Sequence, residues 1–116
     1  MTPFGEKVRA LRQQKGVNQK EVAQALHVSP AYLSALEHGK RGNPSWAMVQ
    51  DIIQYFDIIW DEAEELEGLA RLSHPKTTID TSGLSPKATE LANRLSKDID
   101  KLEENTLDEI LKKIKP

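Results

Sequence analysis

The stretch 18–39, NQKEVAQALHVSPAYLSALEHG, decides how this chain folds, because it predicts two short helices joined by a tight turn. Asn18 can cap the first helix while Glu21 reaches back to it, which is the pattern of a capping box. Ser29 is the next candidate cap. Pro30 suits the first position of the second helix, where its missing N–H costs nothing. The final glycine of the stretch then ends the second helix, as glycine often does.

The spacing of apolar residues divides both helices into an inner and an outer face. The inner face carries Val22, Ala23, Leu26, Leu33 and Leu36. Ala23 falls where the two helices would cross, and its small side chain allows a close approach. The second helix leaves an outer face made of Pro30, Ala31, Tyr32, Ser34 and Ala35.

These residues resemble the lambda-repressor-like DNA-binding domains of the Xre type, and the resemblance covers residues 4–56. Many features match at the family's spacings: Gln19, Val22-Ala23, Leu26, Val28, Leu33, Leu36-Glu37, Gly39-Lys40 and Pro44-Ser45, behind a leading helix with Phe4, Val8 and Leu11. His27 is a departure, since the family often has glycine at that turn position. A left-handed backbone at this histidine would be slightly strained.

The resemblance implies an all-α fold, a five-helix lambda-repressor-like DNA-binding bundle with a C-terminal helical extension. Residues 1–72 are therefore expected to form the DNA-binding domain. Residues 73–85 are rich in Ser, Thr, Pro and Gly, which predicts a linker or an ordered loop. Residues 86–116 are expected to be a C-terminal helical dimerisation extension.

The C-terminal extension carries an apolar stripe that is too small to form a core by itself. It can pack on the N-terminal bundle or on the same element of a second chain, and the sequence leaves both arrangements open. Helix-turn-helix proteins commonly bind DNA as symmetric dimers, which favours the second. The residues expected at this dimer contact are Leu91, Leu95, Ile99 and Leu102.

The resemblance implies a sequence-specific, double-stranded DNA-binding transcriptional regulator. It would be a dimeric repressor that reads the major groove with helix 30–38. The expected base-reading residues are Pro30, Ala31, Tyr32, Ser34 and Ala35. They form few hydrogen bonds, so DNA shape, water or flanking basic residues would carry part of the specificity. For Tyr32, partial packing on the preceding helix is an equal alternative.

Phosphate contacts are expected at the starts of the second and fourth helices and in the loop after the third. The candidate residues are Asn18, Gln19, His38, Lys40, Arg41, Asn43 and Ser45. For Lys40 and Arg41 the alternative is a solvated loop charge. By the resemblance, Arg12 pairs with Glu37 and also approaches a phosphate, because its planar fork can serve both groups. A purely structural ion pair between Arg12 and Glu37 is the alternative.

The net charge of −2 hides a strong asymmetry along the chain of 116 residues. Residues 1–45 hold seven basic and three acidic side chains, a net charge of +4. Residues 46–72 hold one basic and seven acidic side chains, a net charge of −6. The remaining residues carry eight of each sign. The basic third coincides with the helix-turn-helix, as expected of a DNA-binding face.

Several classes of function are not indicated by this sequence. The three histidines are far apart and there is no cysteine, so no metal site is expected. No phosphate-binding loop or nucleophile motif is present, which predicts neither an enzyme nor a cofactor. The lack of an apolar signal or spanning segment predicts a soluble, cytoplasmic protein. A small-molecule effector is left open.

An alternative function is an antitoxin-like or other protein-interaction module, whose C-terminal helices bind a partner protein.

The sequence also makes four local predictions that the structure can test. Asp57 and Thr106 are candidate helix caps, Trp46 is expected to anchor the core, and Trp60 is expected in the core or at a dimer contact.

Overall fold

The computed structural model describes residues 1–40 and 43–116, and within these residues every regular element is a helix. The helices are α1 (Pro3–Lys15), α2 (Gln19–Ala25), α3 (Pro30–Glu37), α4 (Trp46–Tyr55), α5 (Trp60–Arg71), α6 (Pro86–Asp98) and α7 (Glu104–Ile114), with a 3-10 turn at Ile99–Lys101. Five helices precede the serine- and threonine-rich segment and two follow it. The prediction of an all-α fold with a five-helix bundle and a helical extension is confirmed.

Short-range capping explains where α1 and α4 begin and where α1 ends. The hydroxyl of Thr2 accepts a hydrogen bond from the Gly5 N–H over 3.0 Å, so α1 starts at Pro3. Gly16 ends α1 in the left-handed conformation, with φ of 74°. The hydroxyl of Ser45 caps α4 in the same way as Thr2 caps α1. Such caps satisfy backbone N–H groups that have no partner inside the helix.

Residues 1–77 form one compact unit, in which α1 packs on α3 and α5, α2 packs on α3, and α4 packs on α5. Its apolar interior has two parts, and Leu26 and Phe56 pack against both. The main part contains Phe4, Val8, Leu36, Val49, Ile52, Leu66 and Ala70. The second part contains Val22, Ala23 and Leu33, which hold α2 against α3. Burying such side chains is the main force that stabilises the bundle.

Two of the local predictions about helix caps are wrong. Asp57 does not cap α5, which follows Ile59 and has no side-chain cap. Instead Asp57 adopts a left-handed conformation with φ of 53°, and its N–H donates to the Gln54 carbonyl, so it closes α4. Thr106 does not open the last helix either, because α7 already begins at Glu104.

Residues 78–116 form a second compact unit. The hydroxyl of Ser85 accepts from the Ala88 N–H over 3.2 Å and starts α6, as the sequence predicts. A turn precedes it, in which the Ser82 N–H donates to Asp80 over 2.9 Å. This hydrogen bond lowers the pKa of the exposed Asp80 carboxyl. No residue of this stretch, all of which the structure describes, is buried.

Candidate nucleic-acid interface

The turn between α2 and α3 has the geometry that the sequence predicts. The Asn18 side chain accepts from the Glu21 N–H over 2.8 Å, and the Glu21 carboxylate accepts from the Asn18 N–H over 3.3 Å, so the capping box is complete. His27 adopts the left-handed conformation with φ of 60°. The Ser29 hydroxyl then accepts from the Tyr32 N–H over 3.0 Å and fixes the first turn of α3.

The outer face of α3 is the candidate base-reading surface. Pro30 and Ala31 are exposed there, whereas Tyr32, Ser34 and Ala35 are half-buried. Tyr32 packs against the main part of the core, so a share of its ring serves the fold. The opposite face of α3 is closed by buried leucines, which leaves one side of the helix available to a ligand.

Glu37 ties α3 to α1 and α2 at the end of the candidate recognition helix. Its side chain is fully buried, and both of its carboxylate oxygens accept from the Arg12 guanidinium, over 2.9 and 3.1 Å. The Gln19 side-chain amide donates to the same carboxylate over 3.1 Å. A buried carboxylate needs this degree of hydrogen bonding and charge compensation. The predicted Arg12–Glu37 contact is therefore present.

The bond from Gln19 to Glu37 was not predicted. A glutamine that opens a helix carries no sign of its partner in the sequence, since Glu37 lies 18 residues further along the chain. The same site leaves one group without a partner, because the Arg12 Nε–H is buried and makes no hydrogen bond within the described residues. Arg12 thus uses one arm of its guanidinium for the ion pair.

Several predicted phosphate ligands are already engaged by the backbone around them. The Asn18 and Ser45 side chains serve as caps, Ser45 accepting from the Met48 N–H over 3.1 Å. The His38 Nδ1 lies 2.8 Å from the Ser34 carbonyl oxygen. Because a carbonyl oxygen only accepts, Nδ1 must be the donor in this bond. The remaining ring nitrogen, Nε2, gains an N–H of its own only when the ring is protonated.

The remaining predicted phosphate ligands follow α3. Lys40 and Asn43 are exposed, and the Lys40 N–H donates to the Ala35 carbonyl over 2.9 Å, which fixes the start of the loop. Gly39 is buried and makes this turn possible, because glycine adopts its φ of 77° without strain. The expected contact of Arg41 lies outside the described residues.

Trp46 is not a core anchor. It is the first residue of α4 and is 65% exposed, beside a shallow cavity of about 110 Å³ that Asn43 and Pro44 also line. Helical spacing places Trp46 in line with Val49, but the first turn of α4 extends beyond the core. Trp60 is 81% exposed, so it is not a core residue either. The contact with a second chain that was the other expectation for Trp60 stays a prediction.

Acidic side chains of α5 lie next to α1. The Lys7 amine lies 3.9 Å from the carboxylates of both Glu62 and Glu65. These pairs are partly exposed and contribute little to stability. One positive charge of α1 is therefore paired with α5, on the side of α1 that faces this helix.

The predicted dimerisation residues lie in the second unit. Leu91 is 57% exposed and Ile99 is 53% exposed, whereas Leu95 and Leu102 are half-buried. Leu91 and Leu95 lie in α6, whereas Ile99 and Leu102 follow its end, and none of the four residues is buried. The contact of these four residues with a second chain remains a prediction.

Two other features are absent from the described part of the chain. No group of three histidine or acidic side chains is placed to hold a metal ion. No helix there combines the length and the apolar character that crossing a membrane requires.

The chain matches known proteins over its N-terminal half. The family model described as a helix-turn-helix domain matches residues 3–67. The HTH-type transcriptional repressor RghR of Bacillus subtilis is 34% identical over 61 residues, which are 53% of this chain and 45% of RghR. The HTH-type transcriptional regulator DdrOP3 of Deinococcus deserti is 42% identical over 53 residues, 46% of this chain and 40% of that protein.

A third relative is the uncharacterized HTH-type transcriptional regulator YazB of Bacillus subtilis, 39% identical over 59 residues, which are 51% of this chain and 84% of YazB. The chain spans less than half the length of the first two relatives. No solved structure gives a significant match. The match to the family model, together with the fold, establishes that this chain belongs to the helix-turn-helix domain family, of the lambda-repressor, Xre type that its motifs resemble.

Proposed function

We propose that this protein is a sequence-specific, double-stranded DNA-binding transcriptional regulator, that it is not an enzyme, and that it acts in the cytoplasm as a homodimeric repressor. One observation carries the proposal. Pro30 and Ala31, at the start of the outer face of α3, are exposed, while Glu37 at the end of the same helix is hydrogen-bonded to Arg12 of α1 and Gln19 of α2. A rigidly held helix with an open face suits insertion into the major groove, whose width admits an α-helix. The names of the three relatives, each an HTH-type transcriptional regulator or repressor, support the assignment of transcriptional regulation.

Base reading is assigned to Pro30, Ala31, Tyr32, Ser34 and Ala35. The alanines and the proline can contact thymine methyl groups, and the hydroxyls of Ser34 and Tyr32 can form hydrogen bonds with base edges. None of these five side chains can make the bidentate bonds that arginine makes to guanine or asparagine to adenine. Sequence-dependent DNA shape and bridging water therefore supply part of the specificity.

Phosphate binding is assigned to the starts of α2 and α4 and to the loop after α3. Asn18 and Gln19 lie before α3 in the chain, and His38, Lys40, Arg41, Asn43 and Ser45 follow it. Lys40 supports this assignment best, because it is exposed and its backbone is fixed by the bond to Ala35. Contacts of this kind set the register of a protein on the duplex.

The homodimer is proposed because one small helix contacts too few base pairs for specific binding. A two-fold symmetric dimer would present two recognition helices to half-sites about one DNA turn apart. The dimer contact is assigned to the stripe of Leu91, Leu95, Ile99 and Leu102. Repression would follow if the bound dimer occludes the promoter.

The proposal is tested by fluorescence anisotropy with DNA from the protein's own promoter and with a scrambled duplex, across a salt series. Specific binding should weaken steeply as salt rises, because phosphate contacts release counterions. Lys40→Ala should make the logarithmic salt slope shallower by about 1 for the single lost contact. Arg41→Ala is expected to act in the same direction.

Lys87→Ala is the matched control, because it removes an exposed lysine of α6 and should leave the salt slope unchanged. Equal and weak binding to promoter and scrambled DNA, with no change in Lys40→Ala, would contradict the assignment of specific DNA binding.

A protein-interaction module is the second candidate function, and the incompletely buried apolar residues of α6 and α7 favour it. In that case the C-terminal helices would fold on a partner protein, as in an antitoxin.

Limited proteolysis of the free protein separates the two candidates. A C-terminal segment degraded at once would favour folding on a partner, whereas a resistant segment would favour self-association.

A further inference from the structure

Charge is segregated along α7. Every acidic residue of the segment 103–116 lies before Ile110, and every basic residue lies after it. The acids are Glu103, Glu104, Asp108 and Glu109, and the bases are Lys112, Lys113 and Lys115. The helix therefore has an acidic first half and a basic second half. This arrangement agrees with the helix dipole, but it also determines how two such helices can pair.

An apolar stripe runs along the same helix and is incompletely covered. It consists of Leu107, Ile110, Leu111 and Ile114. Leu111 is 47% exposed and Ile114 is 69% exposed, and none of the four is buried. Residues at these spacings lie on one face of a helix. A stripe of this kind requires a partner to be removed from water.

The stripe and the charges share one centre of symmetry, midway between Ile110 and Leu111. Counted outward from that point, residues 110 to 107 are Ile, Glu, Asp and Leu, and residues 111 to 114 are Leu, Lys, Lys and Ile. Apolar residues therefore correspond to apolar residues, and acidic residues correspond to basic ones. A two-fold symmetric contact brings the same surface of both chains together in opposite directions. The α7 sequence is self-complementary under that operation.

We propose that two copies of α7 pack antiparallel about this centre, as the contact of the homodimer on which the proposed function rests. Leu107 then faces Ile114 of the second copy, and Ile110 faces Leu111 of the second copy. A parallel pair would instead place the two acidic halves side by side, and like charges in contact oppose binding.

The flanks of the stripe support the same geometry. Asp108 and Lys112 share one flank, because their side chains form an ion pair over 3.1 Å within the helix. Glu109 and Lys113, one residue further along, share the other flank. In an antiparallel pair each flank faces the same flank of the second copy with its direction reversed. Asp108 therefore meets Lys112 of the second copy, and Glu109 meets Lys113 of the second copy.

The stripe of α6 belongs to the same contact. A stable protein–protein interface buries about 1,200–2,000 Å² in total, which is more than one pair of three-turn helices supplies. The half-exposed Leu91 and Ile99 provide further apolar surface within the same unit. The antiparallel α7 pair sets the direction of the dimer, and α6 enlarges it.

Cysteine crosslinking tests the direction of pairing, because the full-length chain contains no cysteine of its own. Leu107→Cys and Ile114→Cys are made separately, one of them carrying an affinity tag to shift its mobility on a non-reducing gel. In the antiparallel dimer neither variant crosslinks to itself, and a mixture gives the disulfide-linked heterodimer. Self-crosslinking of each variant alone would overturn the antiparallel arrangement.

Charge reversal tests the electrostatic basis by sedimentation velocity on the full-length protein. The variants D108K/E109K and K112E/K113E should each be monomeric at a concentration where the wild type is dimeric. A mixture of the two should recover the dimer. D61K/E64K is the matched control for D108K/E109K, because it makes the same charge change at exposed sites of α5 and should stay dimeric. Circular dichroism checks that helix content is retained.

The outcomes separate this inference from the proposed function. A wild-type dimer that persists in both charge-reversal variants overturns the α7 pairing and leaves the homodimer and DNA binding standing. A wild-type chain that is monomeric at all concentrations, free and on promoter DNA, overturns the homodimer and the α7 pairing together. Promoter binding by anisotropy, measured on the same samples, reports on the proposed DNA binding independently.

Discussion

Glu37 shows how a single residue can hold a short helix, here the candidate recognition helix α3. Its carboxylate accepts from Arg12 and Gln19, and its backbone carbonyl accepts from the Thr2 N–H over 3.1 Å. One residue at the end of α3 thus contacts α1, α2 and the segment before α1. The orientation of α3 depends on this contact more than on its short length, since an eight-residue helix is not stable alone.

Arg12→Met should destabilise the bundle by about 3–5 kcal/mol, because it leaves a buried carboxylate without its compensating charge. Gln19→Ala removes one hydrogen bond to the same carboxylate and should cost about 1.5–3 kcal/mol. Urea denaturation followed by circular dichroism measures both. If Arg12→Met costs no more than Gln19→Ala, the ion pair is not what keeps Glu37 buried.

The double variant R12M/E37M separates the two roles of Arg12, and it should be more stable than Arg12→Met because no unpaired charge is left. If Arg12 is purely structural, the folded double variant binds promoter DNA as the wild type does. If Arg12 also contacts a phosphate, the double variant folds but its salt slope falls by about 1.

The crossing of α1 and α3 is set at Gly5. A Cβ atom at this position would lie 1.9 Å from the Glu37 carbonyl oxygen and 2.7 Å from its Cα. These are backbone atoms, so the two helices would have to separate. Gly5→Ala should therefore destabilise the bundle by about 1–3 kcal/mol, as overpacked interiors do, with thermal unfolding as the measurement.

Gly68→Ala in α5 is the control for the effect of alanine on helix propensity. The nearest atom to a Cβ there is a terminal nitrogen of Arg71, 3.8 Å away. Alanine is the better helix former by about 1 kcal/mol, so this variant should be stabilised. Opposite signs in the two variants would assign the loss to the helix crossing, whereas destabilisation in both would refute that explanation.

Most helix starts could be predicted from the sequence because capping is local. Asn18, Ser29 and Ser45 each bond to a backbone N–H three residues ahead, which a short window contains. The crossing at Gly5 and the bond from Gln19 to Glu37 could not be predicted, since both join residues far apart in the chain. In the candidate site, the resemblance anticipates the ion pair, and which residues touch DNA stays a prediction.

The whole molecule separates into a buried core and an extension without one. Every buried residue of the described chain lies between Phe4 and Ser73. Ser73 is itself part of the bundle, because its hydroxyl accepts from the Phe4 N–H over 2.9 Å and donates to the Leu69 carbonyl. Phe4 has no helical partner for this N–H, since it lies in the first turn of α1. Ser73 thus packs as part of the helical bundle, within the compact unit of residues 1–77.

Two shortened chains test this division. A chain ending at Thr77 should keep the unfolding free energy of the intact bundle, because no buried residue is removed, but it should lose self-association with α6 and α7. A chain ending at Leu72 should be less stable by about 1–3 kcal/mol, because the buried Phe4 N–H loses its acceptor. Ser73→Ala in the full-length protein should show the same loss in urea denaturation. Equal stability of the two shortened chains would mean that water replaces the Ser73 hydroxyl at no cost, and the bundle would then end at Leu72.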